Sequence, residues 1–341
     1  MSLFFIRLRF EFKRKIVFLF LFTVTLGIHA QTVTALSNGA LTGPEMSVYF
    51  LDVGQGNCQL IKLPNGKFML YDCGTTSSSV DPKVIAAKIT AITGGNDIGT
   101  IFLSHPDADH ISMIPDIKEA KNPLYVHISG NQSDYSGILG TWFSGLPSTT
   151  NVVTYTSNYF NSKPITKVDG DSTVNIYMIA ANVAGDANTK SLVISIDFNS
   201  SNVMLSGDAT ATTERWILKK WDYTSLQSTI LAFGHHGSNH SSSKNFLLAV
   251  KPNIGIFSAS AQHTGYGHPR CSIVDVVEKL VDSNGKSGCT IPMHQIDCYV
   301  DKTTGYVFEE NDLGIFVTYD QGNILFRTDG LDYTVLVDKL K

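Results

Sequence analysis

The chain has 341 residues, of which 43% are hydrophobic and 16% are charged. This balance excludes a disordered protein, and the length allows one large domain or two small ones with a substantial core. A formal charge of −4 argues against a chain that holds nucleic acid through a generally basic surface.

The first thirty residues predict a secretory signal peptide. Five basic residues lie between Arg7 and Lys15, an apolar run covers 16–28, and Ala30 precedes the expected cleavage site. The apolar run is too short for a comfortable membrane span, although an uncleaved anchor is the alternative. We therefore expect a secreted or periplasmic protein without stable membrane association after cleavage. Residues 1–31 hold five of the 26 basic and one of the 30 acidic residues, so the mature chain has a formal charge of −8.

Residues 31–45 are rich in small and polar residues and predict a flexible lead-in. A strand meander is expected next, followed by a helix over 82–92 that Asp81 caps and Pro82 begins. The strands predicted in this half cover 46–53, 58–63, 67–71 and 100–103.

The rest of the chain alternates strands with helices and ends in a tail over 329–341. No change of composition marks a second domain, so the pattern favours a single two-sheet α/β sandwich over 46–328. A closing hairpin is expected from strands over 313–319 and 324–328. Further strands are predicted over 124–128, 151–156, 173–180, 191–198, 202–205, 229–233 and 254–257, and helices over 111–120, 135–143, 210–221 and 272–281.

Residues 104–110 read Ser-His-Pro-Asp-Ala-Asp-His and follow a buried-strand pattern. Four of these seven residues can bind a metal, namely His105, Asp107, Asp109 and His110. Mixed imidazole and carboxylate ligands suit zinc, manganese or iron better than calcium or magnesium. The alternative is a solvated acidic loop, but a hydrophobic strand ending in such a loop indicates a role.

Four further strands are predicted to end in similar polar tips. They supply Asp72, Asp208, the pair His235 and His236, and His268. Each tip alone is a weak signal. Together with the loop at 104–110 they predict one shared metal site.

The five cysteines contain no Cys-x-x-Cys spacing. Cys289 and Cys298 are the pair that suggests a local disulfide in an oxidising compartment, and the odd number leaves one cysteine free. None is assigned to the metal.

Taken together, the loop at 104–110 and the other polar strand ends resemble those of a metallo-β-lactamase-fold hydrolase. Within that superfamily the chain is similar to the extracytoplasmic nuclease-like domain of DNA-internalisation competence proteins. The resemblance implies an α/β fold, a four-layer αββα sandwich. The segments that carry it are 50–57 (FLDVGQGN), 71–74 (YDCG), 104–111 (SHPDADHI), 205–208 (LSGD), 234–238 (GHHGS) and 266–269 (YGHP).

The resemblance also implies a ligand set. His105 and Asp107 would hold one metal, Asp109 and His110 a second, and Asp208 would bridge them. His235 is expected to complete the second site, although His236 is an alternative.

The chain departs from the family pattern at several positions. Asp107 replaces a histidine, and the family's middle histidine is missing, with Asp186 and Asn188 in that segment. Manganese is then as plausible as zinc, with one or two ions bound. Asp72 is expected to brace the ligand loop through hydrogen bonds. Asn57 stands where the competence group usually has Asp.

A metal at this site would lower the pKa of a bound water, supply hydroxide and neutralise charge on a phosphoryl oxygen. Asp109 is expected to orient the hydroxide, while His236 and His268 donate to the leaving oxygen. The prediction is a secreted metal-dependent phosphodiesterase acting on nucleic acid or, better suited to an acidic chain, a small phosphodiester. The alternatives are β-lactam hydrolysis, which the ligand set disfavours, and a non-catalytic surface binding protein with a vestigial site.

Overall fold

The computed structural model describes residues 33–165, 170–260, 265–283, 294–311 and 314–340. The predicted signal peptide and Cys289 lie outside these ranges.

Within these ranges the chain forms eighteen strands and seven α-helices. The strands are β1 (Val33–Ser37), β2 (Met46–Phe50), β3 (Cys58–Lys62), β4 (Phe68–Cys73), β5 (Ile98–Leu103), β6 (Tyr125–Ser129), β7 (Asn151–Tyr155), β8 (Tyr159–Asn161), β9 (Val174–Ala181), β10 (Val193–Phe198), β11 (Ser201–Leu205), β12 (Ile230–Ala232), β13 (Ile254–Phe257), β14 (His294–Asp301), β15 (Gly305–Asn311), β16 (Ile315–Val317), β17 (Ile324–Thr328) and β18 (Tyr333–Val337). The helices are α1 (Pro82–Thr93), α2 (Ala108–Ile111), α3 (Ser136–Ser144), α4 (Ala211–Lys220), α5 (Lys244–Val250), α6 (Cys271–Ser283) and α7 (Thr318–Gln321).

Two large sheets and one hairpin contain these strands. In the part of the chain that is described, the first sheet has nine strands in the order β1-β18-β17-β2-β3-β4-β5-β6-β7. The second has seven, in the order β16-β13-β12-β11-β10-β9-β8, and β14 pairs with β15 alone. In the second sheet β11, β12, β13 and β16 run parallel, so their carboxyl ends lie at one edge.

Three apolar clusters show that the sheets pack face to face between two helical layers. The central cluster joins the facing sides of both sheets, with Phe50 and Tyr71 from one and Ile194 from the other. A second cluster buries α1 and α3 on the outer face of the nine-stranded sheet, and a third buries α4 to α6 on the seven-stranded sheet. Strands covered on both faces explain why β5 is buried along its whole length. The predicted αββα sandwich is confirmed.

Helix α1 begins where the sequence predicts and ends one residue later, at Thr93. The Asp81 carboxylate accepts a hydrogen bond from the Lys83 amide at 2.9 Å, and Pro82 occupies the first turn. Gly94 ends the helix in the left-handed region, with φ of 63°.

The predicted boundaries of the folded domain, 46–328, are too narrow. The supposed flexible lead-in contains β1, and the supposed tail contains β18, which pairs antiparallel with it. Buried and partly buried residues alternate along β18. Tyr333 and Val335 are among the buried ones, so this strand contributes to the core.

Two other predictions are wrong. The segments 313–319 and 324–328 do not form a hairpin, because β16 pairs with β13 in one sheet while β17 pairs with β2 in the other. The helix over 111–120 is replaced by α2 and two short 3₁₀ turns, Ile114–Asp116 and Lys118–Ala120. Pro115 lies inside the predicted helix and cannot donate the hydrogen bond that its continuation needs.

The described residues contain two disulfides, Cys58–Cys73 and Cys271–Cys298. The suggested pairing of Cys289 with Cys298 is therefore wrong, because Cys298 on β14 faces the first residue of α6. The other bridge joins β3 to β4, directly beside Asp72.

Candidate metal centre

The predicted polar tips converge where the two sheets meet. The loop 104–110 leaves the end of β5, Asp208 follows β11, and His235 and His236 follow β12. Carboxyl ends of parallel strands meet at one sheet edge, so residues distant in sequence become neighbours.

Two overlapping groups of side chains could each hold a metal ion. One contains His105, His110 and Asp208, and the other contains Asp109, His110 and His236. Within each group the candidate ligand atoms lie within 4.8 Å of one another. The His110 Nε2 atom, which both groups share, lies 3.0 Å from Asp208 Oδ1.

Hydrogen bonding at the three histidines leaves one nitrogen of each ring directed into the centre. His110 Nδ1 lies 2.8 Å from Asp72 Oδ2, His236 Nδ1 donates to the Ser258 carbonyl at 2.6 Å, and His105 Nδ1 lies 3.0 Å from Ser104 Oγ. The Nε2 atoms of all three rings and Asp208 Oδ1 are buried, and among the described residues their only polar contacts are with one another and with the carboxylates of the centre. Buried polar atoms without partners are costly unless something binds them. These four atoms therefore fit a divalent cation.

The charges around His110 make the centre attractive to cations. Burial lowers the pKa of His110, but the charges of Asp208 and Asp72 outweigh burial and raise it well above its ordinary value. For Asp109 burial acts in the opposite direction and raises the pKa, but the hydrogen bond to His236 and the charge of His110 outweigh it and lower the pKa to about 2. Both shifts reflect paired carboxylates in a buried site.

Asp72 braces the ligand loop, as predicted. Its carboxylate accepts hydrogen bonds from the Ser104 amide and hydroxyl, both at 2.7 Å, and from the Asn57 amide group at 3.2 Å. It also holds His110, as described above. A support of this kind fixes the orientation of a ligating imidazole.

Two glycines allow the same loop to approach β4 closely. A Cβ atom on Gly74 would lie 2.4 Å from the Ala108 carbonyl oxygen, and one on Gly56 would lie 2.8 Å from that of Asp109. No larger residue fits these positions without displacing the loop. The sequence shows the glycines only as turn residues, so this function was not predictable from local pattern.

The structure places His236, and not the predicted ligand His235, in a candidate ligand group. His236 is buried, with Nε2 3.4 Å from Asp109 Oδ2 and 3.5 Å from Asp208 Oδ1. His235 Nε2 lies 3.8 Å from Asp208 Oδ2 and 3.4 Å from Asn188 Nδ2, outside both ligand groups. Both residues have left-handed backbones, with φ of 51° and 54°, a strained conformation for histidine that persists where a site requires it.

A family model described as the metallo-beta-lactamase superfamily matches residues 51–261. The chain belongs to the metallo-beta-lactamase superfamily. Membership implies divalent metal binding and a hydrolase-like fold, in agreement with the cluster of histidine and aspartate side chains described above.

Relatives of this superfamily member include proteins named for competence and recombination. Recombination protein 2 of Haemophilus influenzae is 26% identical over 265 residues, which cover 77% of this chain and 30% of that protein. ComE operon protein 3 of Bacillus subtilis is 23% identical over 303 residues, covering 77% and 37%. Competence protein ComA of Neisseria gonorrhoeae is 26% identical over 246 residues, covering 71% and 30%. The chain thus spans about a third of the length of these relatives, and the predicted similarity to competence proteins is confirmed.

Solved structures similar to this superfamily member include two bacterial proteins. YhfI from Bacillus subtilis, described as a metallo-beta-lactamase fold protein, is 13% identical with a TM-score of 0.40, covering 70% of this chain and 92% of that one. CmlA, a diiron beta-hydroxylase from Streptomyces venezuelae, is 13% identical with a TM-score of 0.44, covering 72% and 52%.

The remaining predicted residues lie at the rim of the centre. The predicted ligand Asp107 belongs to neither ligand group. Its side chain is 48% exposed, although its Oδ2 lies 3.5 Å from His105 Nε2. His268 is buried, with its ring centroid 5.6 Å from that of His235 and 6.3 Å from that of His236. Burial and the neighbouring histidines lower the pKa of His268 to about 3, which keeps its ring neutral.

Proposed function

We propose that this protein is a metal-dependent phosphodiesterase that binds one or two zinc ions, with manganese as the alternative. The proposal rests chiefly on the four buried ligand atoms that converge on one another without hydrogen-bond partners outside the centre. His105, His110, His236, Asp109 and Asp208 would hold the metal. Nitrogen and oxygen donors in this mixture are suited to zinc or manganese.

When bound, the metal supplies an activated water and positive charge opposite a phosphoryl oxygen. Asp109 stays ionised at neutral pH because its pKa is lowered to about 2, so its carboxylate can accept a hydrogen bond from that water and orient it. The neutral ring of His268 carries one N–H, which can donate a hydrogen bond to the departing oxygen. His235, at the mouth of the centre, can hold a second phosphoryl oxygen.

A small phosphodiester with a planar group suits the surroundings better than a long nucleic acid. The predicted mature chain carries more acidic than basic residues, which opposes binding along a phosphate backbone. Tyr266 is 57% exposed, and its ring lies 6.2 Å from that of His268 at an interplanar angle of 24°. An exposed aromatic face of this kind can stack on a planar substrate group.

Hydrolysis of bis-p-nitrophenyl phosphate by the purified protein, supplied separately with zinc and manganese, tests this proposal. We expect metal-dependent release of p-nitrophenolate and no hydrolysis of the β-lactam nitrocefin. Metal binding without turnover of either compound would contradict a phosphodiesterase.

That last outcome would favour the second candidate, a surface binding protein with a vestigial site. The observation behind it is Asn188, which occupies the segment where the superfamily's middle histidine is missing and lies beside His235. An amide is a poorer ligand for zinc than an imidazole.

We also propose that the protein acts in the periplasm or outside the cell, after cleavage near Ala30. Two disulfides among the described residues suit an oxidising compartment. In the described part of the chain, no helix is long and apolar enough to cross a membrane. Fractionation of expressing cells, with the intact mass of the exported protein, should give a chain that begins at Gln31; a full-length mass in the membrane fraction would contradict the proposal.

A further inference from the structure

A chain of buried polar side chains runs beneath the metal centre from one sheet to the other. It begins at Asp72 on β4, continues through Asn57 and through Gln59 on β3, and ends at Ser258, which directly follows β13. All four residues are buried. Polar side chains in such a position are costly unless they bond to one another.

The hydrogen bonds along this chain are continuous. Gln59 Nε2 donates to Asn57 Oδ1 and, at 3.4 Å, to Ser258 Oγ. Asn57 Nδ2 then donates to Asp72 Oδ2 at 3.2 Å. One amide nitrogen of Gln59 thus bridges the nine-stranded and the seven-stranded sheets.

Each end of the chain holds a candidate metal ligand. Asp72 Oδ2 accepts from His110 Nδ1 at 2.8 Å, and the Ser258 carbonyl accepts from His236 Nδ1 at 2.6 Å. His110 comes from the nine-stranded sheet and His236 from the seven-stranded sheet. The separation of these two ligands therefore depends on how the sheets are held together at this point.

Gln59 also carries an unsatisfied atom. Its Oε1 is buried without a hydrogen-bond partner among the described residues, although an apolar side chain of similar volume would avoid that cost. A residue used only for packing gains nothing from this arrangement. The bridging amide has to be the reason for a glutamine at this position.

We propose that Gln59 is a positioning residue that sets the spacing between His110 and His236, and thereby the affinity for the metal held between them and Asp109. Asn57 extends this bridge to Asp72 without adding a second carboxylate beneath His110. The proposal concerns metal binding and stands whether or not the protein hydrolyses phosphodiesters.

The test compares Gln59→Met with Ser201→Ala. Methionine is similar in length but removes both donated hydrogen bonds. Ser201→Ala removes another buried hydrogen bond between the sheets, Ser201 Oγ to Thr328 Oγ1 at 2.8 Å, at the opposite end of β11 from Asp208. Both variants thus lose a hydrogen bond between the two sheets, at different distances from the metal centre.

Zinc affinity is measured by competition with a chelator, and the cobalt-substituted protein gives an absorption spectrum of the ligand geometry. In Gln59→Met we expect the affinity for the metal held between His110, His236 and Asp109 to fall about 10- to 100-fold, with a changed cobalt spectrum. In Ser201→Ala the zinc affinity and the cobalt spectrum should both match those of the parent. Unchanged metal binding in Gln59→Met, or an equal loss in both variants, would overturn the proposal.

Ser258→Ala covers the case in which Gln59→Met does not fold. It removes the distant acceptor of the bridge but keeps the backbone carbonyl that holds His236. A loss of roughly two- to tenfold in affinity for the same metal equivalent is expected, as for one neutral hydrogen bond. Parental affinity in this folded variant would likewise overturn the proposal.

Discussion

The two halves of the metal centre are built in different ways. The half on the nine-stranded sheet takes His105, Asp109 and His110 from a single loop after β5. The half on the seven-stranded sheet takes Asp208 and His236 from the ends of two different strands. One half is therefore determined by seven consecutive residues, and the other by the register of β11 against β12.

The halves also differ in how their backbones are supported. The loop 104–110 is held by the Asp72 carboxylate and by close packing on Gly74. The second half instead places His235 and His236 in left-handed conformations that cost energy. The comparison indicates that the first half depends on the residues packed beneath its loop, while the second depends on which histidine faces inward.

Loss of the residue that joins the halves should have the largest effect. Asp208 faces both ligand groups, so Asp208→Ala should remove metal from each. We expect about two metal equivalents in the parent and a clear loss in the variant, with activity reduced on the order of 10³-fold, since metal charge stabilisation amounts to several kcal/mol. Elemental analysis by plasma mass spectrometry measures the number of metal equivalents per chain. Retention of both equivalents in the variant would contradict a shared centre.

The second half can be examined by replacing its two histidines separately. His236→Gln should weaken metal binding by more than the roughly 10- to 100-fold that loss of a supporting residue costs. His235→Gln should change metal affinity by less than about tenfold, because His235 lies outside both ligand groups. The reverse ranking in a zinc titration would restore the assignment expected from the sequence.

The support beneath the first half is tested by Asp72→Asn. The variant keeps the size of the side chain but removes the charge beside His110. Metal affinity should fall about 10- to 100-fold while the protein remains folded. Circular dichroism confirms folding, and parental affinity in a folded variant would show that the carboxylate does not orient His110.

Close packing beneath the first half predicts the smallest effect. Gly74→Ala places a methyl group against the Ala108 carbonyl and should lower the free energy of unfolding by about 1–3 kcal/mol. Gly137→Ala in α3 is the matched control, since nothing lies within 4 Å of its added Cβ and alanine favours a helix by about 1 kcal/mol. Urea denaturation should rank the control above the parent and Gly74→Ala below it.

The sequence predicts the first half of the centre better than the second for the same physical reason. Ligands that share one loop are visible as a motif, and Asp72 is recognisable as a carboxylate at a strand end. Whether His235 or His236 faces the centre depends on left-handed backbone angles, which the sequence around two adjacent histidines does not reveal. The bridge through Gln59 depends on contact between two sheets, which no local pattern reports.

The fold shows the same limit. Helix α1 and the layered architecture follow from capping residues and alternation, which are local signals. The expected hairpin at 313–328 was wrong because β16 and β17 belong to different sheets, separated by the short helix α7. Adjacent apolar runs do not reveal which partner strand each will join.

The pairing of β1 with β18, and of β2 with β17, has a consequence for the order of folding. A chain synthesised from its N-terminus exposes β2 long before residues 324–337 exist to cover it. The nine-stranded sheet can therefore be completed only when the residues up to 337 are available, and contacts this distant in sequence form slowly. During that interval the edge of β2 offers unpaired backbone groups, with which another strand can pair.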